Sequence, residues 1–119
     1  MYEGVLILES LKVGSGLAGV SLGVRGIRRV EVEGTSAEQP GVWSLVEFSV
    51  EDGERLAGML AEVLDAPGWY ADFRDERETF VVFPGRVFRY ARGDDAAREA
   101  AKEFGRGLRI PEAQLDWGR

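Results

Sequence analysis

Three arginines, Arg74, Arg86 and Arg89, lie close in sequence to Trp69, Tyr70, Asp72 and Tyr90. Guanidinium groups present fixed donor forks that match carboxylates and phosphates, and aromatic faces beside them offer stacking surfaces. Converged on one sheet face, these seven residues would form a binding site for a small anionic ligand or a partner protein. The carboxylates suggest a rival chemistry. Asp72 or Glu47 as a general base, with Tyr70 or Tyr90 as donor and an arginine beside a developing enolate, would suit proton transfer or isomerisation. That chemistry needs a carboxylate held partly buried, so that its pKa rises into a useful range.

The residue inventory closes off other devices. The chain has no histidine and no cysteine, so Ser-His-Asp and Cys-His nucleophile systems, thiol redox chemistry and zinc sites with nitrogen or sulfur ligands are excluded. No D-x-D-x-D-G spacing suggests a calcium loop, and no metal or cofactor is expected. Gly14, Gly16 and Gly19 spell G-x-G-x-x-G, but Glu9 to Val13 intervene after the apolar run and too few residues follow for a crossover helix. Turns in a glycine-rich β region account for them better. Arg92-Gly93-Asp94 is read as a helix entrance with Asp94 as N-cap rather than an adhesion tripeptide.

A formal charge of −6 and a pI near 4.7 set an average field that repels nucleic acid and anionic membranes. No apolar run approaches a membrane span and no basic-then-apolar leader is visible, so a cytoplasmic location is expected. Thirteen arginines against two lysines also fit a compositional habit, in which exposed strands carry arginines for edge protection.

These side chains must be positioned by a small number of elements. The 119 residues suit a single domain spanning 1–119. Val42 to Val50 alternates as a strand, with Val46, Phe48 and Val50 opposite Trp43, Leu45 and Glu47. Ser49 and Asp52 could open a helix whose stripe is Leu56, Leu60, Val63 and Leu64, closed by Pro67-Gly68. Trp69 to Arg74 alternates again, Asp75 to Glu78 reads as a solvated turn, and Thr79–Phe83 and Arg86–Tyr90 flank Pro84-Gly85 as a hairpin. A second helix starts at Asp94-Asp95, presents Ala97, Ala101, Phe104 and Leu108, and ends at Gly105 or Gly107, with Trp117 anchoring the tail. Short strands at Val5–Leu8, Val20–Val24 and Val30–Val32 are expected in the N-terminal third.

The blocks ESL (9–11), VWSLVEF (42–48), PGWYADF (67–73), FVVFPGRVFRY (80–90) and IPEAQLDW (110–117) resemble a group of small bacterial proteins of unknown function. The resemblance covers almost the whole chain and implies no activity, cofactor or site residue.

The expected architecture is α+β: a mostly antiparallel sheet with two helices on one face, in a ferredoxin-like topology. Both faces of the sheet read as apolar, so a homodimer is expected to bury the second. The expected function is a non-catalytic binding or regulatory domain that uses the sheet face carrying Trp69, Tyr70, Asp72, Arg74, Arg86, Arg89 and Tyr90, with the small acid/base enzyme as the alternative.

Overall fold

The computed structural model describes residues 1–118. Its frame is one antiparallel sheet of six strands: β1 (Tyr2–Ile7), β2 (Gly23–Glu31), β3 (Val42–Val50), β4 (Ala71–Arg74), β5 (Glu78–Phe83) and β6 (Arg86–Ala91). Two helices, α1 (Gly53–Val63) and α2 (Asp95–Gly107), complete it. The strands run across the sheet in the order β2-β3-β1-β4-β5-β6.

β3 and β4 both pair antiparallel to β1, so they run parallel to each other, and α1 carries the chain between them. This is one split β-α-β unit. A ferredoxin-like fold repeats it, which would require a strand after α2. Here α2 is followed only by a tail with one short turn of helix at residues 112–114, so the strand order departs from the ferredoxin-like one expected.

The register assigns each side chain to a face. Phe48, Gly4, Phe73, Phe80 and Arg89 are successive cross-strand neighbours and share one face. There Phe48, Phe73 and Phe80 pack with Val50 and Val82 under Leu56, Ala57 and Leu60 of α1. Val81 and Phe83 point the other way and pack with Ala101 of α2 and with Ile110, Leu115 and Trp117 of the tail. The two helices therefore lie on opposite faces, correcting the expectation of one. The cause is β5: Phe80 to Phe83 are all at most 1% exposed, so the strand is buried on both sides and needs a cover on each. α1 already fills one side, and the second cover comes from the chain's own α2 and tail.

Local signals explain the boundaries. Asp52 Oδ1 accepts the Arg55 N–H at 3.0 Å and Asp94 Oδ1 accepts the Ala97 N–H at 3.0 Å, so both helices open on aspartate caps while Ser49 stays in β3. The hairpin turns at Gly85, φ 75°. α2 does not stop on a left-handed glycine as expected. The left-handed residue is Arg109, φ 64°, and Gly105 serves a different purpose: a Cβ there would meet Leu115 Cδ2 at 2.8 Å. The strand expected at Val20–Val24 begins at Gly23 and runs on to Glu31, whereas residues 11–22 cross irregularly, with Leu17, Val20 and Leu22 against the α1-side core. The G-x-G-x-x-G glycines fall in that crossing, which leads into a strand and not a helix.

Candidate functional site

α2 and the tail cover only the β4–β6 half of their face. Over β1, β2 and β3 the same face displays Val5, Ile7, Val30 and Leu45, with Val5 41% exposed. Between this apolar floor and the tail lies a groove of about 440 Å³, lined besides by Trp43, Trp69, Tyr70, Asp72, Gln114 and Asp116.

The walls are fixed by polar contacts at their closed end, although the buried Ser36 Oγ beside Gly68 and the buried Arg98 Nε have no hydrogen-bond partner among the described residues. Trp43 and Trp69 stack obliquely with centroids 5.3 Å apart, and Trp43 Nε1 donates to the Pro40 carbonyl at 2.9 Å. Buried Gln39 donates from Nε2 to the Gly68 carbonyl at 2.9 Å and exchanges amide hydrogen bonds with Gln114 at 3.0 and 2.8 Å, tying three segments together. The Tyr70 hydroxyl donates to the Gln114 carbonyl. Trp117 Nε1 donates to Tyr90 Oη at 2.8 Å, and Arg98 Nη2 donates to the Trp117 carbonyl at 2.7 Å. Just past the C-terminal end of β1, Glu9 accepts from both the Ser44 N–H (2.6 Å) and its hydroxyl (2.8 Å). Burial opposes ionisation of Glu9, but these bonds outweigh it and hold its carboxyl below the usual range.

Asp72 is the acidic group of the groove that burial disturbs most. On the groove face it stands beside Val81, one row from Arg74, and its carboxylate has no hydrogen-bond partner among the described residues. Burial pushes its pKa up to about 6, with Arg74 pulling it down and Asp116 pushing it further up. Burial, aided by Asp72 and Asp116, also raises the Tyr70 phenol far above its usual range. The titratable side chains lining the groove are Glu33, Tyr70, Asp72 and Asp116; no lysine or arginine lines it. Among the described residues no group of three or more carboxylates could hold a metal ion.

Of the seven residues expected to form the site, Trp69, Tyr70 and Asp72 meet at this groove. Tyr90 lies beneath the tail, 8% exposed, with its hydroxyl engaged by Trp117. Arg74 shares the face but borders a neighbouring hollow of about 540 Å³ among Glu3, Arg25, Glu47 and Arg92. Arg86 sits at the far strand, its guanidinium 4.5 Å from the Phe88 ring centroid. Arg89 is on the opposite face, bonded through Nε and Nη2 to Glu78 at 2.7 and 2.9 Å and lying over Phe80. The three arginines therefore do not converge. Arg86 and Arg89 differ by an odd number of positions in one strand, and strand alternation alone separates them.

Asp72 and Glu47 do not touch either. Val5 lies between them in the same cross-strand row, a separation of roughly 10 Å from two strand spacings, and Glu47 pairs with Arg28 at 3.3 Å. Sequence reasoning passed over the floor residues Val5, Ile7, Val30 and Leu45, although their alternation was visible. Gln39, Gln114 and Asp116 carry no local signal; only the fold brings them to the groove. Comparison with protein families, with curated proteins and with solved structures returns no match.

Proposed function

We propose that this protein is a non-catalytic binding module whose site is the open half of the α2 face. One observation carries the reading: an apolar floor beside aromatic and carboxylate walls, left uncovered while the rest of the same face is sealed by α2 and the tail. Concave sites of a few hundred Å³ with an apolar lining and a few convergent polar groups are the usual form of small-ligand sites. The rim is held by Gln39, Gln114, Trp43 and Tyr70, so the groove is preformed and binding requires little ordering.

The test is amide chemical-shift mapping with a mixture of small apolar and amphipathic fragments. Shifts gathered on Val5, Ile7, Val30, Leu45 and Ala71–Asp72 support the reading. Shifts gathered instead on the exposed Val24 and Ile27 of β2, or among Arg25, Arg74 and Arg92, sink it.

The acid/base enzyme is the second reading, favoured by the raised pKa of Asp72. Two features weigh against it. The Tyr70 hydroxyl is committed to a carbonyl, and the groove stays open along Val5, leaving reacting groups in contact with water.

A further inference from the structure

The charge and shape of the groove restrict what it can hold. We propose that its ligand is a small hydrophobic amine, bound as the ammonium ion against Asp72 with its apolar body on Val5, Ile7 and Leu45. This rests on the binding-module reading and names its ligand class.

Three observations lead to it. The groove's ionisable walls are acidic, so an anion entering it would face Glu33, Asp72 and Asp116 with no cationic side chain in the lining. The Asp72 carboxylate lacks a hydrogen-bond partner, and a neutral apolar ligand would strip water from it without replacing the lost contacts, whereas an ammonium supplies three donors and the opposite charge. The volume of about 440 Å³ suits a small molecule and not a folded partner.

The groups facing Asp72 are consistent with this role. Arg74 on its own strand and Asp116 on the tail act on it with opposite sign, and its charge is felt by the tyrosines at 70 and 90. On β1, Glu3 stands opposite Arg74 and pairs with Arg25 at 3.0 Å, and Glu33 lines the groove. Across β1 the nearest charge is Glu47, already paired with Arg28, while the facing residues of β1 and β5 are Val5 and Val81. Arg74 thus supplies partial compensation from outside the groove and leaves the groove side of the carboxylate for a ligand cation.

Phenethylamine, its neutral isostere phenethyl alcohol and the anion phenylacetate test the proposal by titration calorimetry, with amide shifts of Val5 and Ala71 reporting the site. Phenethylamine is expected to bind at least about tenfold more tightly than either analogue, the size of one effective charge-assisted contact. Its affinity should fall as pH is lowered through the Asp72 transition near 6, and Asp72→Asn should remove most of the preference. If the alcohol or phenylacetate binds in the groove as tightly as the amine, the ligand class is wrong and the binding site stands. If none of the three moves the groove amides, both readings fail. Should Asp72→Asn not fold, the wild-type pH arm and Asp116→Asn decide. Amine affinity insensitive to both overturns the proposal.

Discussion

Asp72 holds its proton more tightly in the folded chain than in the unfolded one, because its half-buried carboxylate has lost part of its water without gaining a hydrogen bond. A raised folded pKa on an acid means that stability is greatest at low pH and declines as pH rises from the ordinary value of 3.8 through about 6. Asp72→Asn is expected to abolish that decline and to stabilise the protein near neutrality by on the order of 1–2 kcal/mol, after allowance for partial exposure. Thermal denaturation of both proteins across this pH range checks it, and equal pH dependence would contradict it. Glu78 behaves in the opposite sense. Two hydrogen bonds from Arg89 and one from the Tyr2 hydroxyl hold its carboxyl down to about 2. Its stabilisation is complete above the ordinary 4.5 and disappears as pH falls through about 2. Glu78→Gln should cost about 1–2 kcal/mol at neutral pH and flatten the acid limb, as read by urea denaturation. The sequence suggested a solvated turn ending at Glu78. The chain instead begins β5 there, and the partners Tyr2 and Arg89, distant in sequence, were not visible locally.

At the scale of elements, the junction of β1 and β4 joins the two halves of the sheet and places Asp72 beside the groove floor. Gly4 allows that junction: a Cβ on it would meet the Asp72 carbonyl at 2.7 Å and Phe73 Cβ at 2.8 Å, both too close to accommodate without backbone movement. Gly4→Ala should cost about 1–3 kcal/mol and weaken binding in the groove together with stability, which distinguishes it from Asp72→Asn. The tail is the second decisive element. Trp117, 4% exposed, closes the β4–β6 half of its face, and Trp117→Ala should cost about 3–5 kcal/mol in denaturant unfolding. β3, the entrance of α2, the hairpin and the tail anchor were legible because each depends on local chemistry: alternation, an aspartate cap, a Pro-Gly turn, a lone tryptophan after the last helix. The entrance of α1 was expected from the Ser49–Asp52 pair, whereas Ser49 stays in β3 and Asp52 alone caps the helix. The side of the sheet taken by α2 was not, since it depends on which face α1 had already filled. The site was half legible for the same reason. Trp69, Tyr70 and Asp72 are near neighbours in sequence, but the floor comes from β1, β2 and β3, and Gln114 and Asp116 from the tail.

Over the whole molecule, the Cα radius of gyration of 13.4 Å equals the compactness expected of a chain this long, about 13.5 Å. No helix among the described residues is long and apolar enough to cross a membrane. A second copy was expected to bury the second apolar face. α2 and the tail now cover half of that face, and only the groove half remains for any occupant. A carboxylate left without a partner beside that opening costs stability, and a ligand cation would recover it. Titration of the Asp72 side-chain carboxyl by carbon-detected NMR tests this most directly. A midpoint near 6, shifted by mutation of Asp116, is the predicted result. A midpoint near 3.8 would mean that the carboxylate is well solvated or paired, and would contradict the assignment of the groove as the binding site.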